Sequence, residues 1–195
     1  CVQQELVAAM PASLGFAEAA GLPLAGLTAL QALRDELGVG RGTRLFISGG
    51  AGGVGTLAIQ LAKYFGAEVT TTASARGEAL VRRLGADAVI DYSRGDFSEV
   101  LQDFDAVLDL VGGVTLRDSF RILRPGGRVV SIAGVPEPLT ATKDLGSPPM
   151  ITAAFRLMSM GIRRRARKAE ASYRYLFMHP SGDDLRTLAA LVDAG

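Results

Sequence analysis

Apolar positions along this chain switch repeatedly between short continuous runs and a spacing of three and four, which predicts alternating strands and helices. After Pro23, the residues Leu24, Leu27, Leu30 and Leu33 follow helical spacing, and Gly38 and Gly40 are placed to end that helix. From Arg44 the run Leu45-Phe46-Ile47, halted by a glycine cluster, reads as a buried strand meeting a turn. Val54, Leu57, Ala58, Leu61 and Ala62 then share one helical face, and Gly66 stops the helix. The alternation continues: strand 68–73, helix around 77–84, strand 88–90, helix around 97–103, strand 105–110, helix 115–123 and strand 128–132. A loop rich in Pro, Gly and Thr, 136–149, precedes a helix-like stretch 151–161 and a charged stretch through Glu170. Residues 173–178 read as a sixth strand, and Ser181 as the cap of a last helix carrying Leu185, Leu188, Ala189 and Val192 on one face. Strands apolar throughout, such as Ala106-Val107-Leu108, need cover on both faces, which right-handed βαβ crossovers supply. The expected fold is α/β, a doubly wound, six-stranded, mostly parallel sheet with helices on both faces.

Composition narrows the picture. With 195 residues, 48% hydrophobic and 21% charged, the chain suits one folded domain and not a disordered segment. A net charge of +1 gives little global attraction to nucleic acid or to an anionic membrane, so any basic patch must be local. No apolar run approaches the roughly 18 residues of a membrane span. The sequence therefore points to a soluble protein with no nucleic-acid or membrane partner, and a cytoplasmic location is the expectation. Cys1 is the only cysteine and His179 the only histidine, which excludes an intrachain disulfide and a Cys/His zinc cluster within this chain. The run Arg163-Arg164-Arg165-Ala166-Arg167-Lys168 reads as a solvated helix face, and His179, just before Pro180, as a structural or exposed residue.

The chemistry is concentrated in the glycine cluster. Gly50-Ala51-Gly52-Gly53-Val54-Gly55 satisfies G-x-G-x-x-G directly after a strand and at the mouth of a helix, the context a dinucleotide pyrophosphate requires. Gly50 is expected to permit the tight turn, Gly52 the approach of the pyrophosphate, and Gly55 close packing of helix on strand, with free N–H groups at the helix start. This is the first turn of a Rossmann-type fold. An NAD site carries an acidic residue about 20 positions on, at the end of the second strand. Here that region is Thr70-Thr71-Thr72-Ala73-Ser74-Ala75-Arg76, with hydroxyls and a guanidinium, which suits the 2′-phosphate of NADP(H). Thr72, Ser74 and Arg76 join the site on that argument, Ser74 also being a natural helix cap.

Leu22-Pro23-Leu24-Ala25-Gly26-Leu27-Thr28-Ala29, the glycine cluster, Leu84-Gly85-Ala86-Asp87, Asp109-Leu110-Val111-Gly112-Gly113 and Leu123-Arg124-Pro125-Gly126-Gly127 follow one another in order. Together they resemble the zinc-independent, quinone oxidoreductase-like branch of the medium-chain dehydrogenase/reductase family. The resemblance implies an NADPH-dependent oxidoreductase that transfers a hydride to a quinone or an α,β-unsaturated carbonyl compound. It implies that residues 1–15 are the tail of a largely missing GroES-like substrate domain, and that residues 16–195 are the NADP(H)-binding domain, inactive alone. It sets Thr28 near the nicotinamide, Tyr92 near the adenosine, and Val111, Gly112, Ala133 and Gly134 along the cofactor. It also implies a homodimer through the edge strand at 173–178. Zinc alcohol dehydrogenases of the superfamily place a cysteine ligand in the stretch corresponding to residues 16–28; this chain has none there, so direct hydride transfer without a metal is expected. Asp91 and Asp109, at strand ends, read as turn carboxylates, leaving catalytic residues unassigned. Three other readings share these motifs in part: an enoyl-reductase module of a polyketide synthase, a non-catalytic NADPH-binding protein, and a methyltransferase, the last disfavoured by the missing acidic residue after the second strand.

Overall fold

The computed structural model describes residues 2–195; Cys1 lies outside them. Its helices and strands are α1 (Phe16–Ala19), α2 (Leu22–Gln31), β1 (Arg44–Ser48), α3 (Gly53–Tyr64), β2 (Glu68–Ala73), α4 (Ala75–Arg83), β3 (Ala88–Asp91), β4 (Phe104–Asp109), α5 (Gly113–Ser119), β5 (Leu123–Ser131), α6 (Pro149–Met158), α7 (Met160–Lys168), β6 (Ser172–Tyr175) and α8 (Gly182–Ala194). The six strands form one sheet in the order β3-β2-β1-β4-β5-β6, and every adjacent pair is parallel. This is the doubly wound, six-stranded Rossmann-type sheet that the sequence predicts, parallel throughout.

Two apolar layers sandwich the sheet. On one side Leu45, Ile47, Val69, Ala106 and Leu108 meet Leu27, Leu30 and Leu33 of the α2 region, Ala58 and Ala62 of α3, Val81 of α4 and Leu188 of α8. On the other, Phe46, Val107 and Val129 meet Leu116 of α5 and Ile162 and Ala166 of α7. Leu27, Leu30 and Leu33 are almost fully buried, worth about 1.5–3 kcal/mol each in transfer terms. Leu24, expected on the same face, is 68% exposed. α2 continues as a π-helical turn, Ala32–Leu37, which Gly38 ends at φ +63°, in the left-handed region.

The helix expected at 97–103 is a single 3₁₀ turn, Phe97–Glu99. Asp96 caps it by accepting the Ser98 N–H at 2.8 Å, and the Phe97 ring stacks on Phe46 at 4.7 Å, covering β1 where a helix would otherwise lie. Asp103, at φ +62°, then turns the chain into β4. α5 stops at Ser119 and β5 starts at Leu123, earlier than expected, with a register irregularity opposite Phe104–Ala106. The sixth strand covers Ser172–Tyr175, shorter than 173–178, and has β5 on one edge only. The helix expected at 151–161 is α6, and the charged stretch after it is a second helix, α7, joined to it at Ser159.

α8 begins as expected, with the Ser181 hydroxyl accepting the Asp184 N–H at 3.1 Å. A buried polar cluster ties it to α2. The Gln31 side chain donates to the His179 carbonyl at 2.9 Å and to Asp184 at 3.1 Å, and accepts the His179 N–H at 3.2 Å. Arg34 donates to the other Asp184 oxygen at 2.8 Å. His179 is therefore held through its main chain, a structural role. Burial alone would raise the Asp184 carboxyl, but Arg34 and Gln31 outweigh it and hold the group below the usual carboxylate range. A depressed folded value means that the stabilisation is complete above the unfolded value of about 3.9 and is lost as pH falls through the folded one. Asp184→Asn should therefore lower stability at neutral pH and flatten the acid limb of a denaturation-against-pH curve below about pH 4; an unchanged acid limb would assign acid unfolding to other carboxylates.

Candidate nucleotide site

The site lies where the chain reverses direction across the sheet, at the carboxyl ends of β1 and β4. The turn after β1 is built from glycine for three different reasons. Gly49, not Gly50, carries the left-handed backbone, at φ +78°. Gly50 is required by crowding: a Cβ there would sit 2.1 Å from the Thr71 hydroxyl. At Gly55 a Cβ would come 2.5 Å from the Gly49 carbonyl oxygen and 2.7 Å from the Gly50 Cα, which is the close packing of helix on strand that the spacing predicts.

Around Gly53 the backbone is open, with nothing within 4 Å of a Cβ. Ala51, Gly52 and Gly53 are exposed, while Val54 is half-buried and Gly55 buried. The first helical bond of α3 runs from the Thr56 N–H to the Gly52 carbonyl at 2.9 Å, so the N–H groups of Gly53, Val54 and Gly55 precede it. That geometry, on a helix of 12 residues, fits an anionic pyrophosphate.

β2 runs beside β1 and holds the turn. Thr72 is buried and its hydroxyl accepts the Gly49 N–H at 2.9 Å, while its carbonyl accepts the Gly50 N–H at 3.1 Å. Thr71 donates to the Ile47 carbonyl at 2.7 Å. Thr72 thus supports the glycine turn with the hydroxyl that sequence reasoning offered to a phosphate. Ser74 occupies the N-cap position of α4 without a side-chain cap bond, and Arg76, the second residue of that helix, is exposed and has no ion-pair partner among the described residues. Gly77, which the sequence did not single out, lets α4 approach the turn, since a Cβ there would be 2.9 Å from the Ala51 Cβ.

On the far side, Ser48, Asp109 and Ser131 stand in register across β1, β4 and β5. Asp109 is wholly buried and accepts the Ser48 hydroxyl at 3.0 Å, the Ser131 hydroxyl at 2.6 Å and the Gly112 N–H at 3.0 Å. Ser48 in turn accepts the Leu110 N–H at 3.0 Å and Ser131 the Ala133 N–H at 3.2 Å. One carboxylate therefore fixes the loops after β4 and β5, including Val111, Gly112 and Ala133. Gly112, at φ +77°, packs so tightly on the second loop that a Cβ would be 2.4 Å from the Ala133 carbonyl oxygen. Tyr173 of β6 pins the next residues: its hydroxyl donates to the Val135 carbonyl at 2.8 Å and accepts the Val135 N–H at 3.0 Å, beside Gly134. Burial pushes this phenol up, with Asp109 and Glu137 adding to the effect, so it stays protonated and able to donate.

Val111 is 55% and Tyr92 64% exposed, so both present free surface at the strand ends. Thr28 does not: it is 6% exposed and its hydroxyl donates to the Leu24 carbonyl at 2.7 Å within α2. Asp91 holds its own turn by accepting the Ser93 hydroxyl and N–H at 2.7 and 2.9 Å, and these bonds hold its carboxyl below the usual range. The stretch Phe16 to Thr28 offers no metal-binding set. Its one carboxylate, Glu18, turns back to accept the Gly15 N–H at 3.0 Å, and among the described residues no group of three His, Cys, Asp or Glu converges. The residues present do not fit a zinc ion.

Residues 53–172 match the family described as zinc-binding dehydrogenase. The chain is 36% identical over 192 residues to the mitochondrial NAD(P)H oxidoreductase RTN4IP1 of Danio rerio, covering 95% of this chain and 49% of that protein. It is 42% identical over 139 residues to 2-methylene-furan-3-one reductase of Solanum lycopersicum, covering 70% of this chain and 35% of that one. Among solved structures it resembles the quinone oxidoreductase of Coxiella burnetii, with 36% identity and a TM-score of 0.75 over 93% of this chain and 50% of that one. The chain thus spans about half the length of these relatives or less.

Proposed function

The chain belongs to the zinc-binding dehydrogenase family, within the medium-chain dehydrogenases/reductases, and from that premise we propose that it is the cofactor-holding part of an NADPH-dependent reductase of quinones or α,β-unsaturated carbonyl compounds. The observation that carries the reading is the exposed glycine turn at the start of α3, set beside an unpaired Arg76 where an NAD site has a carboxylate. The names of its relatives agree: they include an NAD(P)H oxidoreductase, an NADPH-dependent alkenal/one oxidoreductase and a quinone oxidoreductase.

NADPH supplies the hydride when bound. The backbone of Gly52 to Gly55 receives the pyrophosphate, Ser74 and Arg76 the 2′-phosphate, and Tyr92 the adenosine side. Val111, Gly112, Ala133 and Gly134 line the nicotinamide half, held by Asp109 and Tyr173. Thr28 shapes that wall through its packing, since its hydroxyl is already engaged. The lack of a Cys or His donor at residues 16–28 supports hydride transfer without zinc, and residues 1–15 are assigned in this reading to a substrate domain that selects the acceptor. In this reading a second copy pairs along the open edge of β6.

Calorimetric titration with NADPH and NADH tests the assignment. NADPH should bind more tightly, and Arg76→Ala should weaken NADPH by about 10- to 100-fold, the worth of one charge-assisted phosphate contact, while leaving NADH almost unchanged. Equal loss for both nucleotides would move the 2′-phosphate away from Arg76.

A further inference from the structure

α6 and α7 are unlike the other helices. α6 buries no residue, and Met150, Ile151, Ala154, Leu157 and Met158 recur at the spacing of one helical face turned to solvent. Met150 is 81% and Leu157 70% exposed. The opposite side, with Thr152, Ala153 and Arg156, faces a groove shared with Thr142 and Ser147. One residue later α7 begins. It buries Ile162 and Ala166 against the sheet and exposes Arg163, Arg164, Arg165, Arg167 and Lys168. None of these five has an ion-pair partner among the described residues, whereas Arg34, Lys63, Arg82, Lys143 and Arg174 all do. Residues 150–170 hold six cations and a single carboxylate, Glu170, in a chain whose net charge is only +1.

We propose that α6 and α7 form a docking surface for an anionic lipid bilayer, the apolar stripe of α6 entering the headgroup region while the cations of α7 meet lipid phosphates and carboxylates. Two features together select this occupant. An exposed apolar stripe beside a cluster of cations is the pattern of interfacial membrane helices. A polynucleotide or a soluble acidic protein would use the cations and leave the stripe in water. A second copy whose two-fold axis ran through the cations of α7 would oppose like charge to like charge. No described helix is long and apolar enough to cross a membrane, so the contact is peripheral. It is independent of the nucleotide reading, because neither helix supplies a residue of the glycine turn.

The test is flotation of the full-length protein with phosphatidylcholine vesicles, with and without about a third of phosphatidylserine, at low and high salt. The protein should float with the anionic vesicles, not with the neutral ones, and should be released by salt. R163E/R164E/R167E should reduce flotation by more than about tenfold, and L157S/M158S by several-fold, with circular dichroism and NADPH binding unchanged. Three results would each overturn the proposal: no flotation of the unmodified protein, flotation unaffected by the arginine changes, or flotation that needs the arginines but ignores Leu157 and Met158. A change of oligomeric state in L157S/M158S without any effect on flotation would also overturn it and give the stripe to a protein contact.

Discussion

Asp109→Ala should cost about 3–5 kcal/mol of stability and abolish measurable NADPH binding. The carboxylate is wholly buried and is the shared acceptor of the Ser48 and Ser131 hydroxyls and the Gly112 N–H. Its removal strands two hydroxyls and a main-chain donor away from water, each worth about 1–3 kcal/mol but not additive. The loops after β4 and β5 lose their common anchor together, so binding suffers beyond the stability change. Asp109→Asn keeps the volume but offers a single acceptor oxygen, and should fall between. Thermal melting checks the first quantity and titration of the still-folded variant the second. An alanine variant that melted with the unmodified protein would show the carboxylate to be dispensable.

Gly55→Ala is the second large effect, expected at about 3 kcal/mol with loss of nucleotide binding. The added methyl would meet only backbone: the Gly49 carbonyl oxygen at 2.5 Å, the Gly50 Cα at 2.7 Å and the Gly50 carbonyl carbon at 2.8 Å. No flexible side chain can yield, so α3 has to lift from β1. Gly53→Ala is the matched control, because its Cβ meets nothing within 4 Å. It should leave the melting temperature within the small change expected from helix propensity, yet weaken NADPH if the outer face of the turn receives the pyrophosphate. Equal behaviour of the two variants would separate the glycine spacing from ligand binding.

The alternation of strands and helices was legible because burial on two faces imposes different periods on the two kinds of element, and the glycine turn because its spacing is tied to a strand and a helix on either side. The lost helix at 97–103 was not legible, since what shortens it is a ring stacking on Phe46, a contact between distant parts of the chain. The early start of β5 was hidden by Pro125 and Gly126, whose local signal is a turn; the Gly126 N–H instead reaches the Glu170 carbonyl at 2.8 Å. Ser48 and Ser131 look like ordinary small residues at strand ends. Their meeting on Asp109 depends on strand order and register, which spacing along the chain does not encode. The crowding that requires Gly50 is hidden for the same reason, since it comes from Thr71 on the next strand. Thr28 and Thr72 show the converse, hydroxyls offered to a ligand by their position but engaged by the protein's own backbone.

The row of Ser48, Asp109 and Ser131 has a consequence for how the molecule assembles. β1, β2 and β3 form one half of the sheet and β4, β5 and β6 the other, and the only seam between them is the pairing of β1 with β4. Paired residues within a half lie at most 44 positions apart, as Arg128 and Ser172 do, and Leu45 and Ala106 across the seam lie 61 apart, so the seam closes the longest loop of the sheet, at an extra entropic cost of about 0.3 kcal/mol. The bond from Ser48 to Asp109 crosses that seam at the mouth of the crevice. A nucleotide that touches both sides of the seam is therefore expected to favour docking of the two halves, and refolding rates measured with and without NADPH check this.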